Sequence, residues 1–176
     1  ESNFSRAAEG GVGFAKAAGN YAAALYPAKL GQEKGYKQLI WTDAKTHEYI
    51  EESGTMNVMF LIDNKLITPS IALNTTLSGI TRDSVIKLAK ELGLEVEERR
   101  VAVKEVVEAA RNNKLQDAFG TGTAATIAQI ASITFEDERF ELPPVENRTV
   151  SNKIAKSIEE IKRGRVADKF DWIYNI

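Results

Sequence analysis

Apolar and polar positions change period several times along the chain. Tyr21, Ala24, Leu25, Ala28 and Leu30 recur at helical spacing, which predicts a helix from Asn20 to Lys34 with these residues lining one face. Pro27 falls inside it, as a kink or an early boundary. From Lys37 the pattern becomes short apolar runs, QLIWTD, EYIEES and NVMFLI, with Asp63-Asn64-Lys65 as a turn before LITPS. Those runs predict a meander of strands, with Met56, Met59 and Phe60 in the core. Leu77 to Gly79 is a small-residue loop, and Thr81 is a suitable N-cap for a helix with Val85, Leu88, Ala89 and Leu92 inward, ended by Gly93. Strand-like alternation follows at Leu94, Val96 and Val101, and helical spacing returns in VKEVVEAARNN.

The second half repeats the alternation. Leu115 to Phe119 is short and runs into a second small-residue loop, Gly120 to Ala125. ITFEDERFEL predicts two short strands around Glu136-Asp137-Glu138. Asn152 to Arg163 predicts an amphipathic helix that buries Ile154, Ile158 and Ile161. Trp172 and Tyr174 are expected to pin the tail. Strands and helices interleave without repeat or linker, so the class is α/β or α+β with a mixed sheet.

Composition narrows what such a domain does. The 176 residues are 43% hydrophobic, enough for one sizeable core. Basic and acidic residues, 23 and 25, nearly cancel, so no global field recruits nucleic acid or an anionic membrane. Without cysteine there is no thiolate metal site, disulfide or cysteine nucleophile. The single histidine, His47, sits in the polar turn TDAKTHEY and reads as a surface residue. With no long apolar run and no signal-peptide pattern, the expectation is a soluble, cytoplasmic protein without metal.

Candidate chemistry concentrates in three places. Lys16 stands alone among residues with almost no side chain, in GGVGFAKAAGNY. A lysine amine attacks carbonyls once desolvation or a neighbouring cation lowers its pKa; a solvated lysine at a helix start is the ordinary alternative. Two separate loops, Leu77-Ser78-Gly79-Ile80-Thr81 and Gly120 to Ala125, offer phosphate-binding donors: Gly79, Ile80 and Gly122 through the backbone, Thr81 and Thr123 through hydroxyls. A plain N-cap and a tight turn explain the same residues. Glu51-Glu52 precede the turn Ser53-Gly54-Thr55-Met56, where a carboxylate either ends a solvated strand or faces a protonated ring nitrogen.

In this order GFAKAAGNY, EESGTMN, ITPS, LSGITRDSV and FGTGTAA resemble the pyridoxal-phosphate enzymes of fold type IV, and among them the branched-chain amino acid aminotransferases. Glu52, Gly54, Asn57, Thr68, Gly79, Ile80 and Arg82 match the class IV signature. Met59 departs from it where an aromatic is usual, and Ser78 where proline is common. Ala125 and Ala128 stand where mammalian relatives carry a cysteine pair, so no thiol switch is implied.

The resemblance implies a large cofactor-binding domain spanning 1–176, a pseudo-barrel of mixed strands with flanking helices, and pyridoxal 5'-phosphate as cofactor. Lys16 would form the Schiff base with the cofactor and carry the proton. Tyr21 would bond the ring oxygen, Glu52 the ring nitrogen, and Leu77 would pack on the ring. Gly79, Ile80, Thr81, Gly122 and Thr123 would hold the phosphate, and backbone N–H groups of Thr55 and Ala124 the substrate carboxylate. Arg6 matches a family arginine near the cofactor.

The reaction implied is transfer of the amino group of L-leucine, L-isoleucine or L-valine to 2-oxoglutarate. A D-amino acid aminotransferase or aminodeoxychorismate lyase shares the fold, and a non-catalytic domain that binds a phosphorylated ligand or serves structurally is the alternative from another class. In the family an N-terminal small domain precedes the lysine segment, and relatives are dimers or larger. The expectation is therefore a fragment that lacks that domain, incomplete for catalysis by itself.

Overall fold

The computed structural model describes residues 1–174. Its centre is β3 (Asn57–Ile62), buried at every position. The strand is covered on both faces, which is why it reads as an unbroken apolar run. Val58, Phe60 and Ile62 enter one core with Ile50, Val101, Val106 and Leu115. Met59 and Leu61 enter a second core with Val85, Leu88, Phe119, Ile154, Ile158 and Ile161.

In chain order the elements before β3 are α1 (Ala18–Glu33), β1 (Ile40–Thr42) and β2 (Tyr49–Ser53). After it come β4 (Lys65–Pro69), α2 (Ile80–Glu91), β5 (Glu95–Arg99), β6 (Val101–Ala102), α3 (Val103–Arg111) and β7 (Leu115–Gly122). β8 (Thr126–Gln129), β9 (Ser132–Phe135), β10 (Glu138–Glu141) and α4 (Thr149–Lys162) complete it. The large sheet runs β5-β4-β3-β7-β8, antiparallel except for the parallel pair β4/β5 that α2 connects. A smaller sheet, β1-β2-β6, and the hairpin β9/β10 accompany it. The α/β class with mixed sheets is as expected.

Several local expectations are corrected. The meander divides: β2 pairs with β1 and β6, while β3 pairs with β4 and β7. The run Gly120-Thr121-Gly122 is strand rather than loop, because β3 pairs β7 out to Thr121 opposite Asn57. Thr81 is not an N-cap; Gly79 holds that position, without a side-chain cap bond. α1 continues through buried Pro27 to Glu33, and Leu25 on its expected inward face is 72% exposed. Met56 is only half-buried, its side chain lying under Gly120 and Gly122. α4 begins at Thr149, earlier than expected, with the three isoleucines buried.

Trp172 does anchor the tail, stacked on Phe170 at 4.4 Å, but Tyr174 is exposed. His47 is half-buried with Nδ1 2.8 Å from Thr42 Oγ1, at the edge of a turn organised by Asp43. Burial alone would raise Asp43, yet backbone N–H groups of Tyr49, Thr46 and Glu48 and the Thr46 hydroxyl bring its pKa down to about 2. Among the described residues no helix is long and apolar enough to cross a membrane, and no cluster of three or more His, Asp or Glu side chains is placed to hold a metal.

Candidate active site

Four chain segments meet at the end of the large sheet where β3 begins and β7 ends. The turn Ser53–Met56 links β2 to β3, closed by reciprocal 2.9 Å backbone bonds between Ser53 and Met56. Gly54 makes it possible: φ is +58°, and its N–H and C=O are taken by Leu39 O at 2.7 Å and Trp41 Nε1 at 2.9 Å. Thr55, between them, is exposed and its N–H has no acceptor among the described residues.

Asn57 joins this turn to the second segment, Thr75–Ile80. Its Nδ2 donates to Leu77 O at 2.8 Å. Its Oδ1 lies so close to Gly79 that a Cβ there would stand 2.1 Å away, so only glycine fits. α2 begins immediately afterwards. The N–H groups of Ile80 and Thr81 in its first turn have no acceptor among the described residues, as is usual for the first donors of a helix, and Ile80 is 83% exposed. The third segment enters through the strand register. Asn57 pairs with Thr121 and Met56 packs beneath Gly122, which sets the exposed residues Thr123 and Ala124 beside the 53–56 turn.

The fourth segment is the N-terminal stretch. Arg6 is buried, with Nε 3.1 Å from Glu52 Oε2 in a charge contact rather than a well-aligned hydrogen bond. Its Nη2 donates to Thr75 O and to Gly13 O, the latter at 3.3 Å. Gly13 is pressed between Thr75 and Ala7, with no room for a Cβ. Asn20 Nδ2 then ties Val12 O at 2.8 Å and Ala15 O at 3.0 Å to the start of α1. Lys16 follows this pinned loop and is exposed. Among the described residues Lys16 is solvated, which matches the ordinary alternative of a lysine at a helix start. Tyr21, in the first turn of α1, is half-buried.

Glu52 is the electrostatic centre. It is 3% exposed, and Oε1 accepts the Leu77 N–H at 2.7 Å. Burial pushes its pKa up to about 7, with Arg6 and the Leu77 N–H opposing the rise and Glu51 adding to it. Glu51 is buried too, its pKa raised chiefly by desolvation, and its Oε2 has no hydrogen-bond partner among the described residues.

The structure thus brings together Arg6, Glu52, Thr55, Leu77, Gly79, Ile80, Thr81, Gly122, Thr123 and Ala124. Lys16 and Tyr21 lie on the adjoining segment, and among the described residues their side chains make no hydrogen bond or ion pair with the others. A cavity of about 530 Å³ opens at the opposite end of β7, around Leu115, Asp117 and Arg148, and none of the candidate residues line it.

Two signature residues turn out to be fasteners. Thr68 Oγ1 donates to Val58 O at 2.8 Å, and Arg82 Nη2 holds Pro69 O at 3.0 Å and Glu98 Oε2 at 3.1 Å. Asn57 stands in the signature without a role in the sequence; its role is the bridge between the loops.

Comparison with known proteins shows the family and the fold. The family model described as amino-transferase class IV matches residues 14–133. Branched-chain-amino-acid aminotransferase 2 of Bacillus subtilis is 43% identical over 172 residues, covering 98% of this chain and 47% of that protein. A probable branched-chain-amino-acid aminotransferase of Staphylococcus aureus is 42% identical, with 98% and 48% covered. Among solved structures, the branched-chain amino acid aminotransferase from Escherichia coli superposes with a TM-score of 0.82 at 31% identity, covering 99% of this chain and 55% of that one. A T.th. branched-chain amino acid aminotransferase with pyridoxamine 5'-phosphate gives 0.78 at 25% identity, with 98% and 52% covered. The chain spans about half the length of the curated relatives it matches. With most of its length inside the family model, the chain belongs to the class IV amino-transferases.

Proposed function

We propose that the protein is a pyridoxal-phosphate-dependent aminotransferase that moves the amino group of branched-chain L-amino acids to 2-oxoglutarate. A buried carboxylate and a set of free N–H donors lie at the two ends of one short segment: Glu52 holds the N–H of Leu77, and Ile80 and Thr81 open α2 just beyond. A flat ring with a cationic nitrogen at one end and a phosphate at the other needs that pairing. Relatives and structural neighbours with the printed name branched-chain amino acid aminotransferase support the substrate class, and one of those neighbours was solved with pyridoxamine 5'-phosphate.

The residues fit the group. Both Glu52 oxygens are engaged, but a carboxylate has further lone pairs for a ring N–H. The α2 N-terminus combines a positive dipole end with backbone donors that have no acceptor among the described residues. Pyridoxal phosphate, when bound, supplies an aldehyde and an electron-withdrawing ring that stabilises negative charge at the substrate α-carbon.

The chain does the rest. Glu52 holds the proton on the ring nitrogen, and Arg6 holds Glu52. Lys16 Nζ is the nucleophile and then the base that moves the proton. Tyr21 bonds the ring oxygen and Leu77 packs against the ring. Ile80, Thr81, Gly122 and Thr123 bind phosphate, with Thr55 and Ala124 N–H groups left for the substrate carboxylate. An N-terminal domain supplies the remaining walls, and the working unit is a homodimer or larger, in the cytoplasm.

The direct test is borohydride reduction after incubation with pyridoxal phosphate, followed by peptide mass mapping. The label is expected on Lys16 and absent in Lys16→Ala, with transamination of leucine lowered at least about 10³-fold. Labelling elsewhere, or activity surviving in Lys16→Ala, overturns the assignment.

A further inference from the structure

Thr121 is 2% exposed and its Oγ1 is enclosed without a hydrogen-bond partner among the described residues. Such a hydroxyl is costly to bury, and an apolar isostere is expected in its place unless the group acts in some other state. The strand register says where it points. Thr121 lies opposite Asn57, two residues along each strand from the pair Met59 and Phe119, which face the core under α2 and α4. Directly opposed residues project from the same face with Cβ atoms about 4.5–5.5 Å apart. The Thr121 and Asn57 side chains are therefore neighbours on one face of the sheet.

That amide has one end occupied. Nδ2 holds Leu77 O, while Oδ1 rests against Gly79 and receives no donor among the described residues. A buried donor without an acceptor and an amide oxygen with no protein donor, both among the described residues, thus lie on paired strands, at the ends of β7 and β3 that carry the 123–125 loop and the 53–56 turn.

We propose that Thr121 is a positioning residue for the anion site. Its hydroxyl donates to Asn57 Oδ1 when a bound phosphate group orders the paired ends of β3 and β7. The bond fixes the amide that holds Leu77 O, and so the direction of the Ile80 and Thr81 N–H groups. Thr121 does not touch the phosphate: no water-sized atom reaches Oγ1. The inference rests on the pyridoxal-phosphate reading for the identity of the anion.

The two states respond oppositely to one substitution. Thr121→Val removes an unpaired hydroxyl from the ligand-free protein but a formed bond from the complex; Thr121→Ser keeps the donor in both. The experiment uses the longest natural chain that carries this sequence, titrated with pyridoxal phosphate by absorbance, with melting temperatures measured before and after. Thr121→Val is expected to weaken binding about tenfold while melting, ligand-free, at or above the wild-type temperature. Thr121→Ser is expected to bind within about twofold of wild type.

Equal binding by Thr121→Val overturns the inference. So does an equal loss in Thr121→Ser, or a ligand-free melting point for Thr121→Val low enough to account for the loss, since each marks a packing role. If the wild type itself takes up no pyridoxal phosphate, the cofactor reading and this inference fall together. If the wild type binds and is labelled on Lys16 while Thr121→Val matches it, this inference alone falls.

Discussion

Glu52 is held in a form that an exposed glutamate would not take. Burial lifts its pKa from the ordinary 4.5 to about 7 despite Arg6 at 3.1 Å. The folded chain consequently binds more protons than the unfolded one between those values, and stability falls as pH rises through that window. The penalty is complete above pH 7 and amounts to about 3 kcal/mol at most. Glu51, also raised by burial, contributes with the same sign. Urea denaturation of the ligand-free protein at pH 5, 6, 7 and 8 is expected to show declining stability, and Glu52→Gln a flatter profile. A wild-type profile that rises over this range overturns the assignment. Pyridoxal phosphate is expected to flatten the wild-type slope, because a cationic ring nitrogen beside Glu52 favours the carboxylate.

Elements differ in how far their spacing foretells burial. In α4 the recurrence of Ile154, Ile158 and Ile161 marks a face that is buried, since α2 and β7 lie beneath it. In α1 the same kind of recurrence does not: Leu25 is exposed, and Tyr21, Ala24, Ala28 and Leu30 are only half-buried. Ile154→Ala is therefore expected to cost about 3 kcal/mol and Leu25→Ala less than about 0.5 kcal/mol in the same denaturation assay. Equal effects would mean that Leu25 is covered in solution.

The strands are legible in the sequence because apolar runs bounded by turn residues are a local signal. The end of β7 is not, for Gly120 and Gly122 have no strand preference of their own and are recruited by β3. The start of α2 escapes for a similar reason: Thr81 is a good cap by composition, but the Asn57 side chain fixes the turn at Gly79. Of the site, the residues inside short motifs are readable. The contacts that assemble them, Arg6 to Glu52, Asn57 to Leu77 and the pairing of Thr121 with Asn57, join segments far apart in sequence, and only the fold brings them together.

For the molecule as a whole, the electrostatic half of the site is built more completely than the nucleophilic half. Glu52, Arg6 and the α2 N-terminus are fixed by buried contacts, whereas Lys16 is in solvent on the described surface. A lysine attacks carbonyls well near neutral pH only when desolvation or a nearby cation lowers its pKa, and water must be kept from the reacting carbon. Val12, Phe14, Leu25, Tyr26 and Ile80 leave apolar surface on the segments that carry Lys16 and the anion loop. On the proposed reading, the N-terminal half found in relatives encloses Lys16. Residues 1–176 expressed alone are therefore expected to bind pyridoxal phosphate more weakly and to transaminate leucine with 2-oxoglutarate at least about 10²-fold more slowly than the same chain joined to such a half. Steady-state rates on the two preparations decide the matter. Equal rates would mean that the exposed lysine already suffices and that the missing enclosure comes from a second copy of this domain or is not needed.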